Sequence, residues 1–273
     1  MQYDPIKRQL GKVFNSTPFL RKLFYRMLDL LLLRTWHVKR ELKKNASSLQ
    51  NINVLDAGSG FGQYVYYMSR KHPDWQIKGL DVKTEQIADC NHFFDRIGFN
   101  NVHFEEADLT KIKYQQQFEL VVCVDVMEHI EEDELVLRNY FNALKPGGML
   151  LISTPSDQGG SDVHQHDHQA EGIQGFIDEH VRDGYNIADL DAKLKRAGFA
   201  KTKLRYQYGM PGKISWRLSM KYPILMLNAS KLFFIILPLY YLLVFPIALI
   251  LNKMDVCRKH PTGTGLIALA WKQ

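Results

Sequence analysis

The sequence predicts a doubly wound α/β domain, and three features carry that prediction. An apolar run at residues 52–55 ends in Asp56 and then in three alternating glycines, Gly58, Gly60 and Gly62. A buried strand therefore turns into a loop whose backbone can adopt positive φ and whose peptide groups a ligand can approach closely. A second apolar stretch, Ile77-Lys78-Gly79-Leu80-Asp81-Val82, follows after a helix-sized gap. Residues 118–126 then form a nearly continuous apolar run, the pattern of a central parallel strand buried on both faces.

The elements follow in order. Residues 1–18 are a polar lead containing Pro5 and Pro18. Residues 19–44 turn helical: Leu20, Phe24, Met27, Leu31, Val38 and Leu42 recur at three-, four- and seven-residue spacings, and Arg21, Lys22, Arg26, Arg34, Lys39, Arg40, Lys43 and Lys44 add cations. Two readings of this extension, residues 1–44, stay open: a helical cap on the main domain, or a basic amphipathic helix on an anionic membrane surface.

The main domain is expected at residues 45–208, with a helix from Gln63 onward and a polar surface segment at 110–117. Within it, the loop at 156–182 carries His164, His166, His168 and His180. Histidines at alternate positions suit a metal site only on an extended segment, and no further ligand lies at helical spacing beside them, so a solvated lid over the ligand crevice at the carboxyl edge of the sheet is the preferred reading. Residues 187–197 read as an amphipathic helix with Gly198 just past its end, and 202–208 as a strand.

The glycine spacing is D-x-G-x-G-x-G, and the G-x-G-x-x-G dinucleotide fingerprint would need its third glycine where Gln63 stands. This spacing resembles motif I of the class I S-adenosylmethionine-dependent methyltransferases. Later segments are similar to that family in the same order: Asp81 closes the second strand, Glu105-Glu106-Ala107-Asp108-Leu109 forms the next element, and Asp125-Val126-Met127-Glu128-His129-Ile130 ends the fourth strand. Leu144-Lys145-Pro146-Gly147-Gly148 then turns into strand five. The resemblance implies a Rossmann-like seven-stranded sheet with an antiparallel last strand, and S-adenosyl-L-methionine as cofactor. It implies that Asp56, Gly58, Ser59, Gly60 and Gly62 form the donor loop and that Asp81 holds the ribose. It further implies that Val82 lies against the adenine, that Asp108 with Leu109 meets the adenine edge, and that Asp125 borders the donor.

For an oxygen acceptor a proton must leave, and His129, at the edge of strand four, is the candidate base, since an imidazole titrates near neutrality. A structural hydrogen bond at a helix start is the competing role. Asp125, Glu128 and His129 also resemble the E-x-x-E-H stretch that ubiquinone-biosynthesis O-methyltransferases associate with a divalent metal. The first acid is shorter here, and no metal is expected.

Residues 209–262 are an insertion between strands six and seven. Within it 232–251 is uncharged and long enough to cross a bilayer as a helix, with cations on both flanks. Residues 263–273 hold the last strand, at 265–271. Because that strand returns to the same sheet, a single crossing is excluded. A re-entrant hairpin broken near Pro238 or Pro246, or helices lying in the interface, is expected. The protein is thus read as bound to the cytoplasmic face of a membrane and acting on a lipophilic phenol, quinol or lipid-like hydroxyl. A soluble enzyme with an apolar dimer interface, and a donor-binding protein without turnover, are the alternatives.

The net charge of +6 would permit nucleic-acid binding, but basic and aromatic residues do not interleave as a stacking platform, so no nucleic acid is expected. Three dispersed cysteines suggest neither a disulfide framework nor a zinc knuckle and point to a reducing compartment. The polar start and the short cluster at 30–33 do not read as a secretory signal.

Overall fold

A computed structural model describes residues 17–159, 181–230 and 233–273. The four histidines of the 156–182 loop, His164, His166, His168 and His180, lie outside the described residues.

The chain opens with α1 (Pro18–Leu31) and α2 (Leu33–Asn45), followed by β1 (Asn53–Ala57), α3 (Gln63–Lys71), β2 (Gln76–Asp81), α4 (Thr84–Arg96) and β3 (Val102–Glu106). Next come β4 (Phe118–Val124), a 3₁₀ turn (Met127–His129), α5 (Asp133–Ala143), β5 (Leu144–Pro155), α6 (Ile187–Arg196) and β6 (Lys201–Gln207). The insertion holds α7 (Met210–Trp216), a π turn (Arg217–Lys221), α8 (Tyr222–Ala229) and α9 (Phe233–Cys257), and β7 (Gly265–Trp271) follows.

The seven strands form one sheet in the order β3-β2-β1-β4-β5-β7-β6, and β7 is antiparallel to both neighbours. This is the seven-stranded arrangement with an antiparallel last strand that the motifs implied. Successive residues of the inner strands β1, β4, β5 and β7 feed opposite cores, which is why these strands read as largely apolar runs, whereas the edge strands β3 and β6 are buried at only one or two residues each. Leu55, Ala57, Val121, Cys123, Leu150 and Ile152 join the layer under α5 and α6, while Val54, Leu120, Val122, Met149 and Leu151 join the layer that includes Val38 and Leu42 of α2.

The helical stretch at 19–44 is two helices. Leu32 leaves the helical region at φ −87° and ψ 107°, its N–H still bonded to Leu28 O. The face expected to be buried also differs, because Arg21 and Tyr25 are the buried residues of α1, whereas Met27 is exposed.

The insertion forms a helical hairpin, but not the one expected. α9 runs unbroken through Pro238 and Pro246, and α7, the π turn and α8, ending at Ala229, form the other arm. Each proline removes one N–H from α9 without ending it, and the irregular backbone lies on the opposite arm, where neighbouring groups stabilise it. In the π turn the Tyr222 N–H reaches Arg217 O, so Leu218 O loses its usual donor, and Pro223 has no N–H to offer Ser219 O. Tyr240 OH donates to Leu218 O at 2.7 Å and Tyr241 OH to Ser219 O at 2.8 Å. Ser215 Oγ donates to Ala248 O at 3.1 Å closer to the base.

The hairpin root is polar and buried. Asp255 is fully buried; its Oδ1 pairs with His37 Nε2 at 2.9 Å and accepts from Tyr208 N at 3.2 Å, and its Oδ2 accepts from Gly212 N at 3.0 Å. Burial holds His37 below its ordinary pKa against the opposing pull of Asp255. Arg34 N also donates to Tyr208 OH at 3.0 Å, and Arg40 to Val256 O, so α2 is fastened to the hairpin root.

Candidate active site

The glycine loop is built as its spacing requires. Gly58, Gly60 and Gly62 all have positive φ, at 81°, 50° and 75°. The N–H groups of Gly58 and Ser59 both donate to Leu80 O, at 2.8 and 2.7 Å, drawing the loop against the end of β2. A Cβ at Gly58 would fall 2.2 Å from Val126 Cγ2, whereas one at Gly60 would meet nothing within 4 Å. The Gly58 side is packed and the Gly60 side is open.

Two acids flank that opening. Asp81 Oδ2 accepts from Gly60 N and Oδ1 from Lys83 N, both at 3.0 Å, so the carboxylate is fixed in orientation with lone pairs to spare. Val82, next in the chain, presents its side chain to solvent at 57% exposure. Asp56, near the end of β1, is 2% exposed, and its Oδ2 has no hydrogen-bond partner among the described residues; nor has the buried Ser59 Oγ. Burial first, and the Asp81 charge second, push the Asp56 carboxyl up to about 7.

Asp108 is half exposed and caps its own turn, accepting from Thr110 N and Thr110 Oγ1 at 2.9 and 2.7 Å and pairing with Lys111. Its hydrogen bonds to Thr110 hold it down at about 2. The Leu109 side chain belongs to the core beneath α5.

Beyond β4 the chain turns sharply. Asp125 adopts φ +51°, a cost that a non-glycine residue bears only where its surroundings hold it, and its N–H donates to Ser153 O at 2.8 Å. Its carboxylate pairs with Arg34 of α2. Glu128, at 1% exposure, accepts from Thr154 Oγ1 at 3.0 Å, and burial raises its pKa. His129 closes the 3₁₀ turn, half-buried, its N–H donating to Val126 O at 3.0 Å. Asp125, Glu128 and His129 thus cluster in sequence, but the two acids serve separate partners. Among the described residues no group of three or more His, Cys, Asp or Glu side chains is placed to hold a metal ion.

A cleft of about 330 Å³ lined by Asn53, Gln76, Asn101 and His103 lies at the other end of the sheet, at the amino ends of β1 and β2. Ligand crevices of open α/β sheets form at the carboxyl ends, where the glycine loop sits, so this cleft is set aside.

Three residues escaped the reading of the motifs. Arg34, Arg21 and Tyr25 all converge on the site from the extension. Arg21 Nη2 donates to Phe61 O, inside the glycine loop, at 2.9 Å, and Tyr25 OH donates to the same carbonyl. The i, i+4 spacing of Arg21 and Tyr25 marked a shared helix face, yet nothing in the sequence distinguished these cations from the solvated ones around them.

The family model described as a methyltransferase domain matches residues 48–198. The chain belongs to this methyltransferase family. It is 30% identical over 149 residues to phosphoethanolamine N-methyltransferase 1 of Triticum aestivum, covering 54% of this chain and 28% of the wheat protein. It is 27% identical over 125 residues to a ubiquinone biosynthesis O-methyltransferase of Psychrobacter cryohalolentis, covering 43% and 47% of the two chains. The chain therefore spans less than half the length of either relative within the match.

Among solved structures, Haemonchus contortus phosphoethanolamine N-methyltransferase 2 in complex with S-adenosyl-L-methionine superposes with a TM-score of 0.62 at 16% identity, over 97% of this chain and 59% of that one. An S-adenosylmethionine-dependent methyltransferase from Mesorhizobium loti gives 0.56 at 17% identity, over 88% of this methyltransferase-family chain and all of that one, 100%. At these identities the likeness is one of fold, the class I methyltransferase fold read from the motifs.

Proposed function

We propose that this chain is an S-adenosylmethionine-dependent methyltransferase held at a membrane surface, acting on a hydroxyl of a lipophilic acceptor such as a phenol, quinol or lipid-like molecule. S-adenosylmethionine supplies, when bound, a methyl group already activated on a sulfonium. The residues present fit that group. The open side of Gly60, the fixed carboxylate of Asp81 and the unpartnered oxygens of Asp56 and Ser59 offer a cation-bearing nucleoside both space and acceptors. What remains for the chain is to align the acceptor and take its proton, and His129 at the β4 edge is the base in this reading.

The observation that carries the membrane part is the hairpin. An 18-residue window within Ile235–Cys257 has a mean hydropathy of 2.2, and Ile235, Leu239, Leu242, Leu243 and Ile250 are each at least 60% exposed. A soluble protein rarely leaves an apolar surface of this extent uncovered. The hairpin also springs from the carboxyl edge of the sheet, since Gln207 and Pro155 both pair with Gly265 there. The apolar arms and the donor loop therefore share one edge, so an acceptor dissolved in lipid would reach the site without crossing bulk water.

The test replaces residues 217–247 by a short Gly-Ser linker, keeping Ser215, Ala248 and the Asp255 root. Vesicle flotation should fall sharply while S-adenosylhomocysteine binding survives. Flotation at the intact level would show that the hairpin is not the anchor and would move that role to the basic helices at 19–44; an intact protein that never floats and becomes monomeric from dimeric on deletion overturns the membrane reading.

A further inference from the structure

Helix α1 has two unlike faces. One carries Arg21 and Tyr25, at 2% and 1% exposure, which hold Phe61 O in the glycine loop; Arg21 also pairs with Asp89 at 2.6 Å and lies 4.5 Å from the Phe93 ring. The other carries Phe19, Leu23, Met27 and Leu30, exposed and spaced by four, four and three residues, so that they form one stripe. Lys22 and Arg26 project along the border of that stripe, four residues apart.

We propose that this stripe is a second lipid-docking face, seated on an anionic bilayer, and that the same helix thereby couples bilayer contact to the donor loop. The inference rests on the membrane reading above and adds to it a regulated donor site. The occupant is lipid on two grounds. Cations bordering an apolar stripe match an anionic interface, where the rings and chains sink and the ammonium and guanidinium heads stay at the phosphates. The helix that follows, α2, is also bonded to the root of the apolar hairpin, through His37 to Asp255 and Arg34 to Tyr208, so a single helix joins α1 to the segment read as membrane-seated.

The coupling follows from where α1 is held. It is 14 residues long, a marginal length for an isolated helix, and its contacts gather on the donor loop: Arg21 and Tyr25 on Phe61 O, the Phe24 ring 6.4 Å from that of Phe61, and Asp29 Oδ1 accepting from Gln63 Nε2 at 2.8 Å. A surface that binds the outer face favours the helical, docked state, and that state is the one in which Arg21 and Tyr25 fix Phe61 O. By linkage, anionic lipid raises donor affinity, and bound donor raises lipid affinity by the same factor.

The experiment measures S-adenosylhomocysteine affinity by titration calorimetry with the full chain on phosphatidylcholine vesicles and on vesicles of equal parts phosphatidylcholine and phosphatidylglycerol. Binding should tighten about tenfold on the anionic vesicles, in the usual range for coupled sites. The double variant Leu23→Glu/Met27→Glu should still float through the hairpin, bind as the parent does on neutral vesicles, and gain nothing from phosphatidylglycerol. Lys22→Ser/Arg26→Ser, which leaves the apolar stripe whole, should lose most of the gain and serves if the first variant does not fold. Flotation without any gain for the parent, or a gain that both variants keep, overturns this inference alone. A parent that floats on neither vesicle overturns it together with the membrane reading.

Discussion

Asp56 gives the site a measurable pH signature. Its carboxyl is pushed from an ordinary 3.8 to about 7 by burial and by Asp81, and its Oδ2 has no partner to offset the loss of water. Below about pH 4 the group is protonated in folded and unfolded chains alike. Between there and about pH 7 the unfolded chain releases the proton and the folded chain keeps it, so stability is lost as pH rises through the folded value. Three units at about 1.4 kcal/mol each set a ceiling on the order of 4 kcal/mol. Asp56→Asn removes the titration at nearly constant shape. Urea unfolding of both proteins without donor, from about pH 5 to 8, should show the advantage of Asn growing by roughly 2–3 kcal/mol and levelling off above neutrality. A difference that stays constant across that range would show that Asp56 is ionised and solvated in the folded protein, and the reasoning fails.

Three further outcomes are expected. Asp81→Ala should weaken S-adenosylmethionine binding by about 1–3 kcal/mol, roughly five- to 150-fold, through lost charge-assisted hydrogen bonds and a loosened Gly60; calorimetry checks it, and unchanged affinity would remove Asp81 from the donor site. His129→Ala should slow methyl transfer to a hydroxyl about 10²- to 10⁴-fold with donor affinity retained, and an undiminished single-turnover rate would assign the imidazole a structural role. Tyr241→Phe should cost about 1 kcal/mol by leaving Ser219 O without a donor, and in a Pro223→Ala background, where the backbone can supply one, the cost should shrink; equal costs in the two backgrounds would refute the account of the π turn.

The inner strands were legible because each states its environment, whereas β3, at Val102–Glu106 with Phe104 as its one buried residue, was known only through the acids at its end. Residues 118–124 are apolar on both faces because two cores flank them, and the three glycines stand where φ is positive. Gly265–Trp271 could be recognised as a strand for the same reason. The hairpin was legible in composition and misread in form. The break was expected at Pro238 or Pro246, whereas the irregular backbone lies at 217–221 on the other arm, and the donors that stabilise it, Tyr240 and Tyr241, lie about twenty residues from the groups they serve. Arg21 and Arg34 were hidden for a related reason. A cation among cations reveals nothing about its partner until tertiary contacts bring Phe61 O and Asp125 beside it. The unusual φ of Asp125 was equally silent in a stretch that reads as the smooth end of a strand.

The position of β7 fixes an order of events during synthesis. It lies between β5 and β6, so β6 has no neighbour in the sheet until residues 265–271 exist. Every residue of the apolar hairpin is made before them. A nascent chain therefore presents its most hydrophobic segment while one edge of β5 is bare and β6 is detached. Closing β7 against both then joins two strands across a loop of more than fifty residues, a step made easier if the hairpin has already folded and brought Gln207 and Gly265 together. The arms of the hairpin thus act as a clasp for the sheet edge on which the donor loop stands.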